Sequence, residues 1–339
     1  MTKTKTINTI CISHKEDVDG IASAMLIKRL FEPKSIILVD YGTMTKELEK
    51  ITDDIASGKK KPQEIFICDL ALSKKNEQEF VEIIRKLVSN GIKVTYVDHH
   101  DLGGQTESEL NALDVQLVHN IEECTSVQIY ELYKKQLIDD DHAAFFAAAA
   151  ALTDYMDNKP VGSTLVRRFD RQFLMLQASA LQYIISANQH DDPYLESLVA
   201  TLSERKYTHD IRDGFSIAQK YANMVGDAAK EIETSMKKLK NLAYASSTSS
   251  LSTSMVVNFV LGTSGKPVAV IYKPRDDLPG SCQISVRGSA ECKVHLGRTI
   301  SGIAAELGGN GGGHEKACGA IIPEKKITKF LRILNEAVS

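Results

Sequence analysis

The sequence predicts an α/β protein with a parallel-sheet N-terminal domain, a helical connector and a smaller C-terminal α/β domain. Three observations predict it. Over roughly the first 120 residues one rhythm repeats: a short β-branched run ends in polar residues and gives way to an amphipathic helical pattern. From about Asp139 to Leu242 the strand signal vanishes and helix formers dominate. Strand-like runs then return, and a chain of 339 residues, 43% of them apolar, is long enough for one large core or two moderate ones. The expected boundaries are residues 1–185 for the first domain, 186–245 for the connector and 246–339 for the second domain.

Strands of the first domain are expected at Asn8 to Ile12, Ile36 to Val39, Ile65 to Cys68, Val94 to Val97 and Val115 to Val118. All are unbroken apolar runs, as parallel strands covered on both faces require. Between the third and fourth, Phe80, Ile83, Ile84 and Leu87 recur at helical spacing, and Asn90-Gly91 offers a left-handed cap that stops the helix. In the helical middle Tyr221, Met224, Ala228 and Ile232 fall on one stripe. Ala245 to Ser250 reads as a loop or tight linker. Beyond it, Met255 to Leu261, Val268 to Tyr272 and Gln283 to Val286 read as strands, and Ile327, Phe330, Leu331 and Leu334 mark a closing helix.

Charge narrows the range of functions. Lys and Arg total 41 against 44 Asp and Glu, a net charge of -3, which leaves no broad basic field for long duplex nucleic acid. Any nucleic-acid substrate is expected to be short or locally held. The six cysteines form no C-x-x-C pair, and Cys11 and Cys68 lie inside apolar strand runs, so they read as reduced core thiols. No apolar signal segment follows Met1 to Lys5, and the longest apolar stretch, Ala143 to Leu152, is about half a membrane span. The expected location is cytoplasmic, without a membrane partner. Asp139-Asp140-Asp141-His142 reads as a helix cap, His190-Asp191-Asp192-Pro193 as a solvated turn, and Lys59-Lys60-Lys61 and the Lys237-Lys238-Lys240 cluster as solvated faces.

Chemistry is expected beyond the carboxyl ends of parallel strands, where ligands of such sheets bind. Those positions are biased toward hard donors. The first strand runs into Ser13-His14-Lys15-Glu16-Asp17-Val18-Asp19-Gly20, the third into Asp69, and the fourth into Asp98-His99-His100. Carboxylates and imidazoles converging from three strand ends point to a divalent-metal site, with Mn²⁺ preferred and Mg²⁺ the alternative; no cysteine joins the set. Two such ions about 4 Å apart suit in-line displacement at phosphorus.

These motifs resemble the DHH phosphoesterase superfamily, which includes RecJ-type exonucleases, nano-RNases, cyclic-dinucleotide phosphodiesterases and family II pyrophosphatases. Asp98-His99-His100 looks like its signature, and His14, Asp17 and Asp19 like its first motif. The resemblance implies that His14 and Asp17 hold one metal, that Asp19 and His99 hold the other, and that Asp69 bridges both. Asp154, in Ala151-Leu152-Thr153-Asp154, matches the last ligand, with Asp157 as a competitor. Asp98 is then expected to orient His99 through its other ring nitrogen, and His100 to meet the substrate phosphate. In the second domain, Gly308 to Gly319 resembles the Gly-rich element of the DHH-associated domain, so Gly311, Gly312, Gly313 and His314 are expected to bind substrate. Arg287, at a strand end, is similar to the arginine that grips phosphate in these proteins, and is expected to assist catalysis beside His100 and Asp98.

The function this implies is a two-metal phosphodiesterase that cuts short oligonucleotides, or linear or cyclic dinucleotides, to mononucleotides. A RecJ-like exonuclease on longer single strands ranks second, because the chain has no Trp and no basic excess from which to build a long stacking groove. A non-catalytic RecJ-like scaffold ranks third, since the ligand set is intact. The expected partner is a short nucleic acid or dinucleotide, and a homodimer is compatible with the sequence.

Overall fold

The computed structural model describes residues 8–59, 62–72, 76–313 and 315–339; Lys60, Lys61 and His314 lie outside the described residues. Its contacts divide the chain into two compact units, Met1–Tyr221 and Ala222–Ser339.

The first unit alternates strand and helix: β1 (Thr9–His14), α1 (Val18–Phe31), β2 (Ser35–Val39), α2 (Met44–Ala56), β3 (Glu64–Cys68), α3 (Glu77–Ser89), β4 (Lys93–Asp98), α4 (Gly104–Ala112) and β5 (Gln116–His119). All five strands fall where the apolar runs predict, within two residues at most ends. They pair in parallel in the order β2-β1-β3-β4-β5. Because β1 leads sideways to β2 and the chain then crosses to β3 on the other side, the order reverses between β1 and β3. That is the switch point at which a crevice opens beyond the strand ends.

Alternation along the strands separates two cores. Cys11, Phe66, Cys68 and Val97 face one layer of helices, while Ile10, Ile12, Ile65, Ile67, Val94 and Tyr96 face α2, α3 and α4 on the other side. On the second face Phe80, Ile83, Ile84 and Leu87 of α3 are buried, and Gly91 ends that helix with φ 75°, as its Asn-Gly signal predicts.

The helical layer continues with α5 (Thr125–Leu132), α6 (Lys134–Leu137), α7 (Asp141–Thr153), α8 (Pro160–Val166), α9 (Arg171–Ala187) and α10 (Asp192–Ser203). The alanine run makes α7 the centre of this layer, buried from His142 to Ala151, because small side chains let α1, α5 and α8 approach closely. Asp140 caps α7 by accepting from the Ala143 N–H and also pairs with Arg29 and Arg205; Asp191 caps α10 through the Tyr194 N–H. The long helix α11 (Gly214–Ser235) crosses the division between the units; Ala228 and Ile232 of its expected stripe are buried, while Met224 is exposed.

The second unit holds β6 (Lys237–Lys238), β7 (Leu242–Ser246), α12 (Thr253–Ser264), β8 (Val268–Pro274), β9 (Ser281–Gly288), α13 (Leu296–Glu306), β10 (Asn310–Gly313), β11 (Ala317–Pro323) and α14 (Ile327–Ala337). Its mixed sheet runs β10-β11-β9-β8-β7-β6. One expected strand is a helix: Met255 to Leu261 lies within α12. The run is apolar enough for a strand, but Val256, Val257 and Val260 supply one buried face at helical spacing and Gly265, at φ 66°, supplies the left-handed stop. Part of the expected linker is β7, whose Ala243 and Ala245 are buried against neighbouring elements. No helix among the described residues is long and apolar enough to cross a membrane.

Candidate metal centre

The crevice beyond the β1 and β3 ends is lined by buried acids and imidazoles. His14 ends β1 and is 3% exposed. The chain can turn straight into α1 because Asp17 caps the helix, its Oδ1 accepting from the Gly20 N–H at 2.9 Å. Gly20 is dictated by space. A Cβ there would lie 2.2 Å from the His14 carbonyl oxygen, so only glycine lets the first turn of α1 pack on the end of β1.

His14 Nδ1 lies 2.8 Å from Asp17 Oδ2 and 3.6 Å from Asp69 Oδ2, but neither contact has hydrogen-bond geometry. Both His14 ring nitrogens and Asp69 Oδ2 are buried without a hydrogen-bond partner. Orphaned buried groups of this kind cost about 1–3 kcal/mol each and call for something between them. Asp69 follows β3 in the left-handed region at φ 58°, which swings its carboxylate into the crevice. Its Oδ1 accepts from the Thr125 hydroxyl at 3.3 Å and lies 3.4 Å from His99 Nε2, which in turn is 3.6 Å from Asp154 Oδ2. Asp69 thus stands between His14 and Asp17 on one side and His99 on the other.

Asp19 is wholly buried on the first turn of α1. Its two oxygens accept from the backbone N–H groups of Thr125 (2.7 Å) and Ser126 (2.8 Å), tying α1 to the start of α5. Asp154 caps the C-terminus of α7, and its carboxylate comes together with that of Asp19 and the thiol of Cys124, one donor atom from each lying within 4.8 Å of the others. The same spacing joins His14, Asp17 and Asp69, and joins Asp69, His99 and His100. Asp157, the competing candidate, is instead paired with Arg171 at 3.1 Å.

Asp98 departs from expectation. Its Oδ1 meets His100 Nδ1 at 3.0 Å and its Oδ2 accepts the His100 N–H at 3.1 Å, so it orients His100 where His99 was the expected partner. The reason is local: Asp98 and His100 are two residues apart past the strand end, and the turn brings both the His100 amide and ring back onto the carboxylate.

Charge is out of balance in this arrangement, and protons make up the difference. Burial would lower the His14 pKa, but the Asp17 and Asp69 carboxylates outweigh it and push it up to about 11. His99 is likewise raised to about 9, burial being overcome by Asp69 and Asp19. Burial, then the charge of Asp69, lifts Asp19 to about 7, and burial with neighbouring acids raises Asp154 well above the usual carboxylate range. Asp69 goes the other way: burial opposes it, but the adjoining imidazoles of His14 and His99 hold it far below that range. Buried carboxylates that compete for protons, beside imidazoles with free nitrogens, are a donor set that divalent cations fit.

Several neighbours escaped sequence reasoning. Tyr41 stacks on His14 at 4.3 Å and places its hydroxyl 3.3 Å from His100 Nε2. Gln128 donates from Nε2 to the carbonyls of Asp98, Asn120 and Glu123 at 2.7–3.0 Å, clamping the segment before α5 to the end of β4. Tyr41 lies just past β2, so the strand-end rule extended to that strand would have found it.

In the second unit, Arg287 lies on β9, donating from Nη1 to the Val286 carbonyl at 3.1 Å. Gly311, Gly312 and Gly313, expected in a flexible cradle, form β10 at the sheet edge, with Gly311 opposite Ala320 and Gly313 opposite Cys318. Packing explains the residue type: at Gly313, with φ 133°, a Cβ would lie 2.8 Å from the Ala317 carbonyl oxygen.

Residues 8–157 match the DHH family, N-terminal domain, and residues 239–339 match the DHHA1 domain. Among curated relatives, the uncharacterized protein MJ0988 of Methanocaldococcus jannaschii is 22% identical over 96% of this chain and 90% of its own. MJ0831 of the same organism is 24% identical over 67% of this chain and 53% of its own. Among solved structures, a DHH domain titled as belonging to a family of ribosomal proteins aligns over 98% of this chain and 87% of its own, with TM-score 0.71 and 13% identity. A pGpG-specific phosphodiesterase of Vibrio cholerae aligns over 98% of both chains, with TM-score 0.58 and 12% identity. These likenesses establish the fold, and the two domain matches, in the order the motifs require, place the chain in the DHH family, with a C-terminal DHHA1 domain.

Proposed function

We propose that the protein is a two-metal phosphodiesterase that hydrolyses short oligonucleotides or dinucleotides to mononucleotides. The observation that carries this reading is Asp69, a buried carboxylate between two donor groups, with an orphaned oxygen facing the orphaned nitrogens of His14. His14, Asp17 and Asp69 would hold one divalent cation, and Asp19, Asp69, His99 and Asp154 the other, with Mn²⁺ the ion best suited to mixed carboxylate and imidazole donors. Such a pair supplies Lewis acidity to the phosphoryl oxygens and makes water a better nucleophile.

The chain's own groups supply the rest. His100, its pKa raised because Asp98 outweighs the effect of burial, carries a proton on Nδ1 toward Asp98 and presents Nε2 as a donor to a phosphate oxygen. Tyr41 limits the rotation of both His14 and His100. In the second unit, Arg287 and the edge backbone of Gly311 to Gly313 are proposed to bind the nucleotide, a guanidinium fork being suited to phosphate.

The test is hydrolysis of pApA, pGpG and a series of longer single strands with Mn²⁺ or Mg²⁺. Activity on dinucleotides that falls steeply beyond a few nucleotides supports the proposal; flat or rising activity favours an exonuclease, and no hydrolysis of any phosphoester with either ion overturns an enzymatic role.

A further inference from the structure

Sequence reasoning leaves all six cysteines out of the metal centre, yet Cys124 is fully buried beside it. It occupies the N-cap of α5, the position immediately before the two N–H groups that hold Asp19. Those two hydrogen bonds draw the start of α5 onto the Asp19 carboxylate, and they bring the sulfur with it. Cys124 Sγ and one oxygen each of Asp19 and Asp154 lie within 4.8 Å of one another, a spacing that one cation with bonds of about 2.0–2.3 Å spans. His99 Nε2 is 3.6 Å from Asp154 Oδ2, so an imidazole borders the same position. A second observation points to a ligand in this cluster: Asp69, 1% exposed and bordering the same His99, keeps one oxygen without a hydrogen-bond partner.

Taking the two-cation reading above as its basis, we infer that Cys124 is a thiolate ligand of the cation held by Asp19, Asp154 and His99, which makes that position softer than the one held by His14, Asp17 and Asp69. Binding breaks the S–H bond and releases its proton to solvent, while a sulfur lone pair forms the bond to the cation; no electrons are transferred. An N-cap at the positive end of a helix favours the thiolate once a cation offsets the neighbouring carboxylates. The consequence is chemical asymmetry. The Cys124 position selects Zn²⁺, Co²⁺ or Mn²⁺ over Mg²⁺, because a thiolate is a poor partner for the hardest ion.

Co²⁺ alone, added to chelator-treated full-length protein, tests this by absorption spectroscopy. The expected result is a sulfur-to-cobalt charge-transfer band in the near ultraviolet for the wild type that is lost in Cys124→Ser and Cys124→Ala, while the visible cobalt bands persist in both. Competition should show at least a tenfold smaller preference for Zn²⁺ over Mg²⁺ in Cys124→Ser. Visible bands without the charge-transfer band in the wild type, or a band that survives in the variants, would overturn the thiolate ligand and leave the two-cation reading standing. Failure of the wild type to bind Co²⁺ at all would overturn both. Because the first comparison is made within the wild type, a variant that fails to fold does not remove the test.

Discussion

Asp98 holds His100 by two hydrogen bonds, ring Nδ1 to Oδ1 at 3.0 Å and backbone N–H to Oδ2 at 3.1 Å, and so leaves His99 to Asp69 and Asp154. The pairing assigns Asp98 to the substrate-facing imidazole and separates it from the metal-facing one. Asp98→Asn should therefore leave Mn²⁺ affinity within about threefold of wild type, whereas loss of a carboxylate that orients a metal-ligating histidine typically costs about 10–100-fold. Turnover should fall by about 10–1000-fold, with the acidic side of its pH profile shifted, because His100 loses the acceptor that raises its pKa. Calorimetry of Mn²⁺ binding beside a pH–rate profile separates the alternatives; a large loss of metal affinity with an unmoved profile would return Asp98 to His99.

The left-handed backbone at Asp69 decides which substitution tests it cleanly. Asn tolerates φ 58° better than most residues and keeps the side-chain volume, so Asp69→Asn should fold while losing the charge that serves both cation positions. Turnover should drop at least about 10³-fold. Near-normal turnover in a folded Asp69→Asn protein would remove Asp69 from the centre of the mechanism.

Much of this was legible before any coordinates, for a physical reason. Parallel strands buried on both faces leave unbroken apolar runs, and the residues that end those runs must sit at the crevice, which is why His14, Asp69 and His99 could be read off directly. What stayed hidden depends on turns and on contacts between distant segments. Whether Asp98 reaches back to His99 or on to His100 depends on a two-residue turn that carries no periodic signal. Thr125, Ser126 and Cys124 reach the site through hydrogen bonds to Asp19, more than a hundred positions away. The helix at Thr253–Ser264 was misread because an apolar β-branched run carries strand propensity, and only burial of one face decides its conformation.

Gly20 should be intolerant of even one methyl group. Its Cβ would overlap the His14 carbonyl at 2.2 Å, and backbone cannot swing aside as a side chain can. Gly20→Ala should cost more than about 2 kcal/mol and displace His14. The control is Gly226→Ala, within α11 and with nothing inside 4 Å of the added Cβ, which should be neutral or stabilising by up to about 1 kcal/mol. Urea denaturation of both variants measures the contrast; equal stability would mean that α1 does not pack on β1 as described.

Arg287→Ala should chiefly raise KM, by about 10–100-fold, as expected for losing a charge-assisted hydrogen bond worth about 1.5–3 kcal/mol, with kcat changed only a few-fold. Steady-state kinetics on a dinucleotide reads the two separately. A collapse of kcat with KM unchanged would instead give Arg287 a role confined to the transition state.

In the metal-free protein, protons occupy the role proposed for the cations, and the pH dependence of stability should reveal it. Folding raises His14 and His99 above the ordinary histidine value near 6.5, so it takes up protons above that pH. The stability they contribute is complete below about pH 6.5 and is lost as pH climbs through about 9 for His99 and about 11 for His14. Asp19 adds in the same direction lower down, its share being complete below about pH 4 and lost through about 7. Asp69 has the opposite sign, but its contribution is constant above about pH 6 because its folded pKa lies far below. The melting temperature in EDTA should thus fall between about pH 6.5 and 9.5, while the stabilisation gained on adding Mn²⁺ should grow with pH, since the ion no longer has to displace those protons. His99→Gln should flatten the decline in EDTA. A melting temperature in EDTA that is level or rises over this range would show that these imidazoles do not carry the protons that the buried carboxylates demand.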